Sequence, residues 1–228
     1  MKTAKMSPRP LVRDVVPRNE HQRRYLELLN KKSPTVVVAK GPAGCGKTLL
    51  AAHAGVNKLR AGSVSRIVIT RPAVSVDEQH GFLPGSLDDK MEPWSRPIID
   101  IMTTCFSPDD VRRMIQDRVI EMCPLAFMRG RTFENAWIIC DEAQNCTANQ
   151  ILMVMTRIGD GSKLVITGDP SQHDRGFEVN GLTDLMERLK SPPGLDAVRE
   201  MGLVEFSDSD VERHPVIHHV LRMYNCSP

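Results

Sequence analysis

Aromatic side chains make up only 4% of the 228 residues, with two Trp and two Tyr. A surface that grips a strand by stacking successive bases on rings is therefore poorly supplied. No apolar run approaches the ~18 residues that a membrane-spanning helix needs, and the N-terminal stretch MKTAKMSPRPLVRDVV has no apolar segment followed by a small-residue cleavage site. These absences predict a cytoplasmic protein with no membrane partner. The six cysteines, at 45, 105, 123, 140, 146 and 226, form no Cys-x-x-Cys pair and have no histidine spacing suited to zinc. Reduced thiols are expected. His214, His218 and His219 come without a cysteine or carboxylate at ligand spacing and are not read as a metal site.

What is present is ordinary globular material, 41% hydrophobic and 25% charged, in a chain long enough for one α/β domain with its own core. The formal charge of +2 conceals an asymmetry: residues 1–32 hold nine Lys/Arg against three Asp/Glu, and the remainder 21 against 25. A basic arm can touch nucleic-acid phosphates or simply be solvated. Residues 1–17 read as that arm and 18–228 as the folded domain.

Short β-branched runs at 35–39, 65–70, 118–122, 136–140, 163–167 and 202–207 alternate with helical spacing at 47–60, 87–105, 109–117, 149–158 and 182–190. The alternation predicts an α/β fold, a mainly parallel sheet flanked by helices. Pro93 and Pro97 are expected to break or bend the second helix, and the long connection 71–86 is where a specialised function is expected.

Between the first strand and its helix lies Gly41-Pro42-Ala43-Gly44-Cys45-Gly46-Lys47-Thr48, a G-x-x-x-x-G-K-[ST] loop in the strand-to-helix context that the motif requires. Its glycines let backbone N–H groups converge on phosphates, and the helix N-terminus adds partial positive charge. Lys47 is placed to reach the β- and γ-phosphates of ATP, and the Thr48 hydroxyl to hold Mg²⁺. Downstream, AWIICDEAQN ends a strand in Asp141 and Glu142. Asp141 is expected to support Mg²⁺ and Glu142 to polarise the attacking water, since ligands of parallel sheets bind at the strands' C-terminal ends. A third strand ends in LVITGDPSQ, where Thr167, Asp169 and Gln172 are candidates for sensing the γ-phosphate; a plain tight turn explains Gly-Asp-Pro equally well.

With these motifs in place the sequence resembles the PhoH-like family of P-loop ATPases, itself similar to the first motor lobe of superfamily 1 helicases. The resemblance runs from about Arg18 to Tyr224 through GPAGCGKT, ITRPAV, HGFLPGSLDDKMEPWSRPIID, RGRT, DEAQN, RIGDGSKLVITGD and ERHPVI. It implies a single RecA-like P-loop NTPase domain that binds and hydrolyses ATP with Mg²⁺. The phosphate loop, Asp141 and Glu142 carry over, and Gln172 becomes the γ-phosphate sensor. In PRNEHQ the resemblance offers Gln22 as an adenine reader, although an amide here also suits helix capping. His173 and Arg175 depart from the family pattern.

About sixty residues follow Asp169, too few for a second motor lobe. An arginine finger, worth ~10³ to 10⁵ in rate, is then expected from Arg129, Arg131 or Arg213, within the chain or from a neighbour in a homo-oligomer such as a ring. A surface ion pair is the plainer role for each. RNA or single-stranded DNA is the expected partner, with an ATP-switched module acting on a protein as the alternative.

Overall fold

The computed structural model describes residues 15–72, 87–173, 180–191, 199–212, 216 and 223, with the backbone alone over 87–95. Most of the basic arm, most of the 71–86 connection, Arg175, Arg213, and His214, His218 and His219 lie outside the described residues.

The order is α1 (Glu20–Asn30), β1 (Val36–Lys40), α2 (Lys47–Arg60), β2 (Arg66–Thr70), α3 (Leu87–Cys105), α4 (Pro108–Gln116), β3 (Ile120–Met122), β4 (Ala136–Cys140), α5 (Ala148–Met155), β5 (Lys163–Gly168), α6 (Gly181–Lys190) and β6 (Met201–Glu205). The strands form one parallel sheet in the order β3-β2-β4-β5-β1-β6. The expected α/β architecture is therefore the one observed.

The strands are apolar on both faces because helices cover both, and the period of two sorts their side chains. Val37, Ala39, Ile67, Ile69, Trp137, Ile139 and Val165 join one cluster with Tyr25 and Leu29 of α1, Leu50 and Ala51 of α2, and Met102 of α3. Val38, Val68, Ile138, Leu164 and Ile166 join the other with Ile151 and Val154 of α5 and Leu182 and Leu185 of α6. Each fully buried aliphatic side chain contributes about 1.5–3 kcal/mol relative to exposure.

Local sequence sets the helix starts. Asn19 caps α1 by accepting from the Gln22 amide, Ser107 caps α4 ahead of Pro108, and Thr147 with Gln150 forms a capping box on α5. Two expectations need correction. Of the break or bend expected at Pro93 and Pro97, the break does not occur, since helix α3 runs on across both. The prolines are four residues apart, so their lost N–H groups fall on one side, while Ile98 and Met102 remain buried. The strand expected at 118–122 begins only at Ile120, because Arg118 turns the chain with φ +56°.

Candidate nucleotide site

The parallel order brings three strand ends together. Strand β5 lies between β1, which feeds the glycine loop, and β4, which feeds Asp141. The Gly41 amide donates to the Gly168 carbonyl at 3.1 Å, tying the loop to the end of β5. Gly41 itself has φ +149° and no room for a side chain, since a Cβ there would lie 2.5 Å from Cβ of Phe206. Gly46 caps α2 in the left-handed region with no side-chain acceptor on the helix's first amides, which leaves that end of the dipole open to an anion.

Lys47 is buried, and its ammonium donates to the Gly41 carbonyl at 2.6 Å and the Pro42 carbonyl at 2.8 Å. It contacts Sγ of Cys45 at 3.6 Å. Burial raises the Cys45 thiol's pKa, with the nearby Lys47 charge working in the opposite direction. The Thr48 hydroxyl donates to Oδ1 of Asp141 at 2.8 Å, and the Thr167 hydroxyl donates to the same oxygen at 2.6 Å. Asp141 is buried, so two hydroxyls from two other elements fix its carboxylate. Both bonds go to Oδ1, which leaves Oδ2 as a second acceptor. A hydroxyl and a carboxylate in contact are hard oxygen donors of the kind that Mg²⁺ takes, so these residues fit that ion.

Glu142 follows in the left-handed region, φ +52°, at the head of the short 3₁₀ turn Ala143–Asn145. Its Oε2 accepts from Nε2 of Gln144 at 2.5 Å, and its Oε1 is paired with Arg71 at 3.0 Å. Gln144 is buried and well connected: its Oε1 accepts from the Asp169 amide at 3.0 Å and its Nε2 also donates to the Gln172 carbonyl at 3.3 Å. Gln172 donates from Nε2 to Oδ2 of Asp169 at 2.8 Å, while Oδ1 of Asp169 accepts from the Ser171 amide and hydroxyl. The GDPSQ segment is thus a side-chain-braced turn, and the turn also carries Gln172 to the site. His173, one of the departures from the family pattern, is hydrogen-bonded through Nδ1 to the Gln144 carbonyl at 3.0 Å.

These groups surround a cleft of about 380 Å³ whose lining includes Gly44, Lys47, Thr48, Asp141, Glu142 and Gln172. Gln22 stands behind the loop. Its side chain is buried, accepts from the Arg18 amide at 2.9 Å and donates to the Cys45 carbonyl at 3.1 Å. Asn19 is the N-cap of α1, and the bond that Gln22 returns to the Arg18 amide gives its side chain a share in that helix entry as well.

Of the candidate arginines, the two that are described, Arg129 and Arg131, do not line the cleft. Arg129 is exposed after the 3₁₀ turn Leu125–Met128. Arg131 is paired with Glu121 at 2.6 Å and lies 4.5 Å from the centre of the Phe133 ring. Glu121 is on β3, four strand positions from β1, or roughly 19 Å at about 4.8 Å per strand. Arg131 held in that way does not serve its own loop. Arg213 lies outside the described residues.

Sequence reasoning missed Arg71 and Gln144 as site residues. Gln144 stands two places after Glu142, and Arg71 directly follows β2, the strand that pairs with β4. Position at the end of a neighbouring parallel strand was the available signal.

The family model described as PhoH-like protein matches residues 14–225. The chain belongs to the PhoH-like protein family. Among relatives of this PhoH-like chain, a PhoH-like protein of Bacillus subtilis (strain 168) is 41% identical over 205 residues, 90% of this chain and 62% of that one. Protein PhoH of Escherichia coli (strain K12) is 36% identical over 215 residues, 92% and 58% of the two chains. The PhoH-like chain thus spans about 60% of the length of these relatives. The large terminase of a thermophilic bacteriophage superposes with a TM-score of 0.55 at 14% identity, over 90% of this chain and 50% of that one. That likeness concerns the fold, which is that of a P-loop NTPase. Among the described residues, no helix is long and apolar enough to cross a membrane.

Proposed function

We propose that this PhoH-like chain hydrolyses ATP with Mg²⁺ and that turnover is coupled to binding RNA or single-stranded DNA. The observation that carries the hydrolytic reading is the convergence of the Thr48 and Thr167 hydroxyls on one oxygen of Asp141 beside the glycine loop. A mere glycine turn has no reason to bring three such groups together from three strand ends.

In this reading the loop amides and Lys47 bind the β- and γ-phosphates, with the ammonium exchanging loop carbonyls for phosphate oxygens. Thr48 and Asp141 hold Mg²⁺, which when bound neutralises phosphate charge. Glu142 orients the attacking water and accepts its proton, and Gln172 reports the γ-phosphate from the braced turn. Gln22 buttresses the loop through Cys45 and reads adenine with the capacity that its amide retains. Arg129, Arg131 or Arg213 completes a neighbouring subunit's site, a role for which Arg131's distance from its own loop argues. The fold, which a phage terminase shares, is also compatible with an ATP-switched module acting on a protein.

The test is phosphate release from ATP and GTP, with Mg²⁺, in the presence and absence of poly(U) and oligo(dT) across a salt series. The proposal expects turnover that needs Mg²⁺, prefers ATP, and rises with a strand by an amount that shrinks as salt increases. Equal rates with GTP would remove Gln22 as an adenine reader. No response to either strand at low salt would leave the protein-directed module as the reading.

A further inference from the structure

The Arg71 guanidinium reaches Oε1 of Glu142 at 3.0 Å, and the Gln144 amide holds Oε2 at 2.5 Å. Each oxygen of the carboxylate assigned to the attacking water is therefore engaged by a neighbouring donor. The two donors differ in how they are held. Gln144 is buried and bonded to the Asp169 amide and the Gln172 carbonyl, so it belongs to the rigid frame. Arg71 is 27% exposed and directly follows β2, leading out of the sheet. The backbone between the donors is strained: Glu142 occupies the left-handed region at φ +52°, a conformation that costs a β-carbon residue free energy and recurs at switch positions.

We propose that Arg71 is a removable brake on Glu142, released when a phosphodiester strand competes for its guanidinium. The inference rests on the hydrolytic role given to Glu142 above and adds how that role is regulated. A guanidinium fork matches a phosphate as well as it matches a carboxylate, and Arg71 touches Glu142 through Nη2 alone, so a phosphate that takes the whole fork draws that nitrogen away. While Arg71 is paired with Glu142, the carboxylate is fixed between two neighbours and does not turn to a water at the γ-phosphate. When Arg71 moves to a phosphate, Oε1 loses the charged partner that fixes its direction and turns to that water, and Gln144 still holds the other oxygen in place. Arg71 is thus a positioning residue that couples strand binding to turnover, with no covalent step of its own.

The experiment compares the full chain with Arg71→Ala, Arg71→Lys and Glu142→Gln. Arg71→Ala is expected to raise basal kcat about 5- to 10-fold at unchanged KM for ATP, and to lose further stimulation by poly(U) or oligo(dT). Arg71→Lys is expected to restore part of the stimulation, since an ammonium still pairs with both partners. Binding is read separately: the affinity of Arg71→Ala for each strand should fall, and its slope of log K against log salt should drop by about 1 in magnitude, the loss of one phosphate contact. Response to poly(U) but not oligo(dT), or the reverse, identifies the strand. A fall in kcat in Arg71→Ala, or parent-like kcat with parent-like strand affinity and salt slope, would overturn the brake. Parent-rate turnover in Glu142→Gln would instead overturn the catalytic reading beneath it, whatever Arg71→Ala does. If the parent has no turnover, an unchanged salt slope in Arg71→Ala still refutes the strand contact.

Discussion

The backbone amide of Glu212 donates to the carbonyl of Gly44 at 3.1 Å, so the end of β6's following segment is latched to the phosphate loop. The latch is held in place by Asp210, whose Oδ2 accepts from the Ser207 amide at 2.8 Å and is paired with Nδ1 of His21 at 2.8 Å. Burial is the largest influence on Asp210 and pushes its pKa up, but the Ser207 amide and hydroxyl and His21 together bring it below the ordinary 3.8.

Asp210→Ala is therefore expected to cost about 1–3 kcal/mol, the scale for leaving buried partners unsatisfied, and to raise KM for ATP by loosening the loop. Because the folded carboxyl titrates below the unfolded one, its contribution is present above the ordinary pKa and lost as pH falls through the lower folded value. Urea titrations from pH 6 down to pH 3 should show the parent losing its advantage over Asp210→Ala at the acid end.

Gly55 lies where α2 crosses Trp137. A Cβ there would approach the indole Cδ1 at 2.5 Å and Nε1 at 2.7 Å, and the indole is pinned by its bond to the Ala51 carbonyl at 3.1 Å. Gly55→Ala should destabilise by about 1–3 kcal/mol despite alanine's better helix propensity. Urea denaturation followed by tryptophan fluorescence checks it, and a stabilised variant would show that α2 has slack against β4.

Lys163 is buried under the end of α1, donating to the carbonyls of Leu28 at 2.8 Å and Lys31 at 2.6 Å. Burial, with a smaller push from Lys58, lowers its pKa from 10.5 to about 8. Between those two values unfolding takes up a proton, so this group makes stability rise with pH, by roughly 3 kcal/mol at most. That contribution is lost as pH falls back from 10.5 to about 8, and none of it is left below. Lys163→Met lacks it. The stability of the parent minus that of Lys163→Met should climb between pH 8 and 10.5, and a flat difference would mean that the ammonium is as stable in the fold as in water.

The elements that the sequence made legible are those encoded locally. Gly41 to Thr48 carries its own turn, cation and helix start, and Asp141 and Glu142 follow directly on a short apolar run that reads as a buried strand. The parallel sheet follows from alternation of such runs with helices. What was not legible depends on which strands become neighbours. Arg71 and Glu142 lie 71 positions apart and meet because β2 pairs with β4. Glu212 reaches Gly44 because β6 lies beside β1. Arg131, for which an ion pair was the plainer reading, finds its partner in Glu121 of β3. No spacing rule announces these partners, since they arise from strand order.

The central claim is that Glu142 orients the attacking water in a site formed by Lys47, Thr48 and Asp141. Single-turnover hydrolysis by Glu142→Gln, read beside equilibrium binding of a fluorescent ATP analogue, tests it most directly. Replacing the carboxylate by an amide of the same shape should slow the chemical step by about 10² or more, as loss of a general base does, and leave the analogue's affinity within about twofold of the parent's. Hydrolysis at the parent rate with the same affinity would contradict it.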